Sequence, residues 1–216
     1  MLPFFYAIHY HSYLAGVKPA TDHQTPREIL TTYYAENKFG DDGGISSPNV
    51  KIELTKGFHF YFPNFDARKK VVLKHDIHHL VTEYSTSLKG ECEISMWEIA
   101  SGCKKYRFAF FIDIPGVMIS QPFNFFPALR AFARGRRTKN MYHDLVTNEQ
   151  ALDMTIGDLR RLFHLDIYPV KTKPSLTDFL LFAGFFIFGF VYSLVLMATL
   201  PFIVVYSIWV ALKVGK

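Results

Sequence analysis

Cysteine is nearly absent: Cys92 and Cys103 are the only two in 216 residues, and no Asn-x-Ser/Thr site occurs. A disulfide-stapled secreted domain is therefore excluded, and a reducing compartment is the default. Internal repeats and low-complexity tracts are also missing, which removes solenoids and linker-like chains. The apolar start, Met1-Leu2-Pro3-Phe4-Phe5-Tyr6, has neither a basic leader nor a long uninterrupted apolar core. It reads as part of the mature fold rather than as a secretory signal.

One kind of absence is local. No charged residue stands between Phe179 and Leu212, a run of about 34 positions where about 20 suffice to cross a bilayer as a helix. A membrane-embedded segment follows. Ser175 and Asp178 have the spacing of a capping box, so the boundary falls there, dividing residues 1–174 from an anchor over 175–216. Pro201 splits the run into a part long enough to span and a remainder, Phe202 to Leu212, that is too short for a second span. Two geometries fit: a single kinked transmembrane helix emerging at Lys213, or a re-entrant hairpin. Arg160, Arg161, Lys171 and Lys173 precede the run and only Lys213 and Lys216 follow it, which puts residues 1–174 on the cytoplasmic face.

The net charge of +5 favours anionic partners, while 50% apolar and 17% aromatic residues argue against nucleic acid. A membrane surface fits better. The chain is long enough for one domain with a sizeable core. Its periodicities point to an all-α fold: a helix from Thr25-Pro26 to about Tyr34, another capped by Asp66 and running to about Glu83, a third from Glu91 to Ser101, and a basic helix from Pro127 to about Thr138. Thr155-Ile156-Gly157-Asp158 opens a further short helix. Lys51 to Phe62 permits a short strand, and Lys104 to Met118 fits either a helix or a buried strand.

Within the second helix lies His75-Asp76-Ile77-His78-His79, with Glu91 eleven residues beyond its last histidine. Positions i, i+1 and i+4 of a helix share a side, so His75, Asp76 and His79 can address one cation. A chain reversal before Gly90 would bring in Glu91. Two imidazoles with carboxylates suit zinc, iron or manganese. Taken alone, these residues leave a metal site and a pair of ordinary hydrogen-bonded histidines equally open. A membrane desaturase is excluded by count, since no second histidine box exists. A metal phosphohydrolase needs a further upstream histidine and downstream aspartate, for which His59 and Asp113 or Asp144 are available without special context. Arg130, Arg134, Arg136 and Arg137 form a cationic stretch suited to lipid headgroups or a membrane surface. Phenylalanines between Phe108 and Phe132 supply apolar surface for a lipid tail or for the core.

The stretch from His75 to Glu91, with Gly90 before the glutamate, resembles the hallmark of the coenzyme Q biosynthesis family Coq-four: His-Asp-x-x-His, eleven residues, then Glu. Ala131-Phe132-Ala133-Arg134-Gly135 and the segment Met154 to Ile167, with Leu159-Arg160-Arg161-Leu162, are similar to its C-terminal pattern. The resemblance covers about residues 25–170. It implies a helical, membrane-associated protein holding a divalent metal, usually zinc, through His75, Asp76, His79 and Glu91. It further implies a groove for a polyprenyl quinone precursor and a role in C1 decarboxylation of the prenylated benzoate, in organising other ubiquinone biosynthesis enzymes, or both. Two departures stand out: Glu83 occupies a position where the family favours a small residue, often glycine, and the apolar tail is foreign to ordinary members.

Overall fold

The computed structural model describes residues 21–37, 42–55, 58–85 and 88–214. The N-terminal stretch and the start of the Gly40-Asp41 loop lie outside them. Helix dominates: α1 (Pro26–Asn37), α2 (Asp66–Thr82), α3 (Leu88–Ser101), α4 (Arg107–Gly135), α5 (Asn148–Asp153), α6 (Ile156–Leu162), α7 (Leu176–Met197) and α8 (Leu200–Val214). The all-α expectation is thus right in its coarse form and needs one amendment. An antiparallel hairpin of β1 (Asn49–Thr55) and β2 (Phe58–Pro63) precedes α2, with Ile52 opposite Phe60 and Val50 opposite Phe62.

Capping chemistry sets several boundaries. Thr25 accepts from the Glu28 N–H at 3.3 Å while the Glu28 side chain accepts from the Thr25 N–H at 3.0 Å, a reciprocal box that starts α1. Thr155 accepts from the Asp158 N–H at 3.1 Å and starts α6. Ser175 and Asp178 do the same for α7, at 3.2 and 2.7 Å. Asp66 does not cap α2. It is the first helical residue, Phe65 stands at the cap without a side-chain bond, and Asp66 pairs instead with Lys69 at 3.1 Å.

The stretch from Lys104 to Met118 and the basic helix from Pro127 fall mostly within one helix, α4, broken in direction at Asn124 (φ −128°, ψ 20°). Pro127 lies in the first turn after that break, where its missing N–H costs nothing. The core sits among α2, α3 and α4. Trp97 is fully buried and its indole N–H donates to Thr138 Oγ1 at 2.9 Å, which ties α3 to the exit of α4.

The apolar tail does not stand apart from this body. α7 packs along both halves of α4: Phe182 meets Phe125 and Phe132 beyond the break, and Tyr192 meets Phe111 before it. The break after α7 comes at Ala198 and Thr199, one turn before the division expected at Pro201, and α8 then packs on β2.

Candidate metal centre

α2 ends at Glu83, which adopts a left-handed conformation (φ 68°) and donates its N–H to the His79 carbonyl. That conformation is why a glycine suits this position: a side chain there carries strain. The turn carries the chain back over the start of α3, and Gly90 is where the two meet. A Cβ at Gly90 would lie 1.8 Å from the Ser85 carbonyl oxygen, so only glycine permits the crossing. Glu91 follows on the buried face and points back at α2.

His75, His79 and Glu91 thereby converge. The two Nε2 atoms are 3.2 Å apart; His75 Nε2 is 3.5 Å from Glu91 Oε2, and His79 Nε2 is 3.3 Å from Glu91 Oε1. Tetrahedral ligands at the usual bond lengths of about 2.0–2.1 Å stand about 3.3–3.4 Å from each other. The donor set therefore has the spacing a small divalent cation requires.

The tautomers agree. His79 Nδ1 lies 2.9 Å from the Tyr84 carbonyl, which can only accept; the proton is on Nδ1 and Nε2 keeps its lone pair. His75 Nδ1 lies 2.9 Å from Glu98 Oε1, a carboxylate acceptor, so its Nε2 is also a donor atom. Two bare nitrogens and a carboxylate need a proton or a cation between them. Glu91 Oε1 is buried without a hydrogen bond, as a ligand atom would be.

Glu98 was not anticipated from the sequence as part of the site. It lies two turns beyond Glu91 on the same face of α3, a spacing of seven that could have found it. Its Oε1 also accepts from His78 Nδ1 at 2.6 Å, and its Oε2 from Tyr142 Oη at 3.1 Å. His78 is oriented by the Met141 N–H, which donates to Nε2 at 3.0 Å. Burial alone would raise the Glu98 carboxyl, but His75 and His78 outweigh it and hold it well below the carboxylate range. Glu91 is likewise brought down to about 2 against its burial, by His79 and His75. His75 is lifted well above 6.5: burial opposes its charge, and Glu98 and Glu91 overcome that.

Asp113, named from the sequence only as an available aspartate for a phosphohydrolase, is grouped with His75 and Glu98. It is the only charge between Arg107 and Arg130 and is buried, so its carboxyl needs a partner. Burial and the neighbouring Glu98 push its carboxyl well up, and its Oδ2 is buried without a hydrogen bond.

The other expected residues are placed differently. Asp76 is buried next to the cluster but is not among the three converging ligands; its Oδ2 accepts from Tyr34 Oη at 2.6 Å, which fastens α1 to α2. Arg134 is buried and donates to the Tyr168 and Thr82 carbonyls at 2.8 and 2.9 Å, so it braces the end of α2 rather than facing a membrane surface. Arg136 and Arg137 pair with Asp178 at the start of α7. Arg130 is exposed. The His59 side chain lies outside the described residues, and Asp144 pairs with Lys105 at 2.8 Å and Lys74 at 3.5 Å, away from the cluster. Cys92 is a buried apolar filler.

No protein-family profile, curated protein or solved structure matches the chain. One described helix, Leu176–Met197, is long and apolar enough to cross a membrane, and it is mostly exposed.

Proposed function

We propose that this chain is a membrane-associated metal protein of ubiquinone-type quinone synthesis, a divergent relative of the Coq-four family, with zinc or a similar divalent ion held by His75, His79 and Glu91. The observation that carries the reading is the mutual spacing of those three ligand groups. Asp76 takes a supporting part through α1 rather than the ligand role the resemblance implies. A divalent ion in such a site supplies Lewis-acid polarisation of a bound carboxylate. The protein's part is to hold the donor atoms ready. Tyr84 and Glu98 fix the tautomers of His79 and His75, and the bonds Glu98 accepts from His78 and Tyr142 keep it from turning away.

The substrate class is a polyprenylated benzoate, whose tail suits the apolar side of the fold and whose carboxylate suits the cation. Loss of the C1 carboxyl leaves an electron pair on the ring carbon, and a proton must replace CO2 there. Coupled hydroxylation needs oxygen and a redox partner in addition. The exposed α7 supports residence at a membrane, with the helical body on the cytoplasmic face, or the matrix face of an inner mitochondrial membrane. The rival of a different class is a lipid-presenting scaffold for other ubiquinone biosynthesis enzymes, in which the metal serves only the fold.

His79→Ala separates the two. Loss of quinone output with folded, membrane-bound protein supports the catalytic reading, whereas normal output removes it. Mass spectrometry of lipids extracted from the purified chain is expected to find a polyprenyl quinone precursor; finding only phospholipid counts against the substrate class.

A further inference from the structure

The apolar tail is fastened to the helical body along α7, and beyond the end of α7 to the hairpin that leads into α2. At the start of α7, the buried carboxylate of Asp178 pairs with Arg136 and Arg137, the latter at 2.6 Å, just beyond α4. Past its end, α8 docks on the hairpin. Ser207 Oγ donates to the Tyr61 carbonyl at 2.9 Å and accepts from the Tyr61 N–H at 3.2 Å, and Tyr206 Oη donates to Asn49 at 2.8 Å. Between these points α7 runs antiparallel to both halves of α4, from Phe182 against Phe132 to Tyr192 against Phe111. Gly189 allows close contact there, since a Cβ would meet Met118 at 2.9 Å.

A helix held along its length by one body cannot cross a bilayer unless the body crosses with it. The layers behind α7 forbid that. α4 packs on α2 and α3, α2 on α1 and α6, and α1 on α5. The outer layer carries exposed ion pairs: Arg27 with Glu149 at 2.9 Å and Asp153 at 2.7 Å, and Lys69 with Asp66 at 3.1 Å. Charges of this kind are not carried through hydrocarbon. The opposite side of the fold is their complement. Leu180, Ile187 and Val195 of α7 and Phe202 and Val205 of α8 are all exposed, and no charge interrupts the stretch from Phe179 to Leu212. Lys213 Nζ lies 3.9 Å from the centre of the Trp209 ring at the end of α8, a pairing typical of the headgroup level.

We infer that α7 and α8 lie lengthwise in a single leaflet as an in-plane raft, so that the protein is monotopic and neither helix spans. The occupant of this face is a lipid monolayer. The cation cluster then sits one helix layer from the lipid, since Asp113 belongs to the same α4 segment that Tyr192 and Gly189 cover. The inference rests on the membrane reading above and deepens it.

The test uses the full chain in sealed membrane vesicles of known orientation, with a membrane-impermeant maleimide. Cys92 and Cys103 are both buried, so background labelling is low. Thr199→Cys places a thiol in the exposed turn between α7 and α8, and Glu149→Cys reports the side on which the body lies. Labelling of both from the same side is expected. Thr199→Cys reached only from the side opposite Glu149→Cys, or from neither side, overturns the in-plane arrangement while leaving membrane residence intact. Wild-type chain absent from the membrane fraction, and failing to float with vesicles, overturns the membrane reading and this inference with it.

Discussion

The Nε2 atoms of His75 and His79 face each other at 3.2 Å across one turn of α2. Each has its other nitrogen committed, to Glu98 and to the Tyr84 carbonyl. This commitment turns two neighbouring histidines into a pair of donors aimed at one point. It also makes the outer partners as testable as the ligands.

Glu98→Gln keeps the shape of the side chain but removes the charge that fixes His75 and His78. Outer partners of metal-binding histidines typically contribute 10- to 100-fold in affinity, so zinc binding is expected to weaken by about that factor with helical content unchanged. Competition titration against a chelating dye measures it. Unaltered affinity in a folded variant would show that Glu98 serves packing alone.

Gly90→Ala forces a Cβ onto the Ser85 carbonyl. Overpacking of this kind costs about 1–3 kcal/mol, and here it also displaces Glu91 from α2. A fall in Tm accompanied by loss of metal is expected in thermal melts followed by metal analysis. Gly135→Ala, which crowds the Trp97 carbonyl on the other side of α3, is expected to lower Tm while disturbing the metal less.

Glu83→Gly relieves a left-handed side-chain residue at the end of α2, where φ is 68°, at a strain of about 1 kcal/mol. The price is a partly exposed pair with Arg160 at 2.9 Å, worth about 0.5 kcal/mol. A small net gain in stability is expected in denaturant melts, and a marked loss would mean that the ion pair outweighs the backbone.

Without metal, a proton on His75 does the work of a cation. Its pKa in the folded state is raised well above 6.5, so the stability it gives is complete below the unfolded value and is lost as pH climbs through the folded one. A divalent cation displaces that proton. The rise in Tm on adding zinc is therefore expected to grow from about pH 6 to pH 8.5, and a rise independent of pH would contradict the exchange.

How much of this could be read from the sequence depended on where the signal was local. The Thr25, Thr155 and Ser175 caps, and the placing of His75, His79 and Glu91 on two helices, follow from spacing along a single element, and the structure has them so. Asp76 stands outside the converging group because neighbouring positions on a helix differ by about 100°, and its bond from Tyr34, distant in sequence, could not be read from spacing. The partners of three arginines were hidden for a similar reason: the carbonyls that hold Arg134 and the Asp178 that holds Arg136 and Arg137 come from other elements, while Arg130 is exposed. The direction of α7 was beyond any periodicity, because composition records that a helix is apolar and leaves open what it leans on.

Metal content tests the central claim most directly. Full-length wild type and His79→Ala are purified from membranes in mild detergent, and bound metals are counted by plasma mass spectrometry alongside circular dichroism. About one zinc, iron or manganese ion per wild-type chain is predicted, with less than a tenth of that in a folded variant. Metal-free wild type, or equal content in both, would contradict the account.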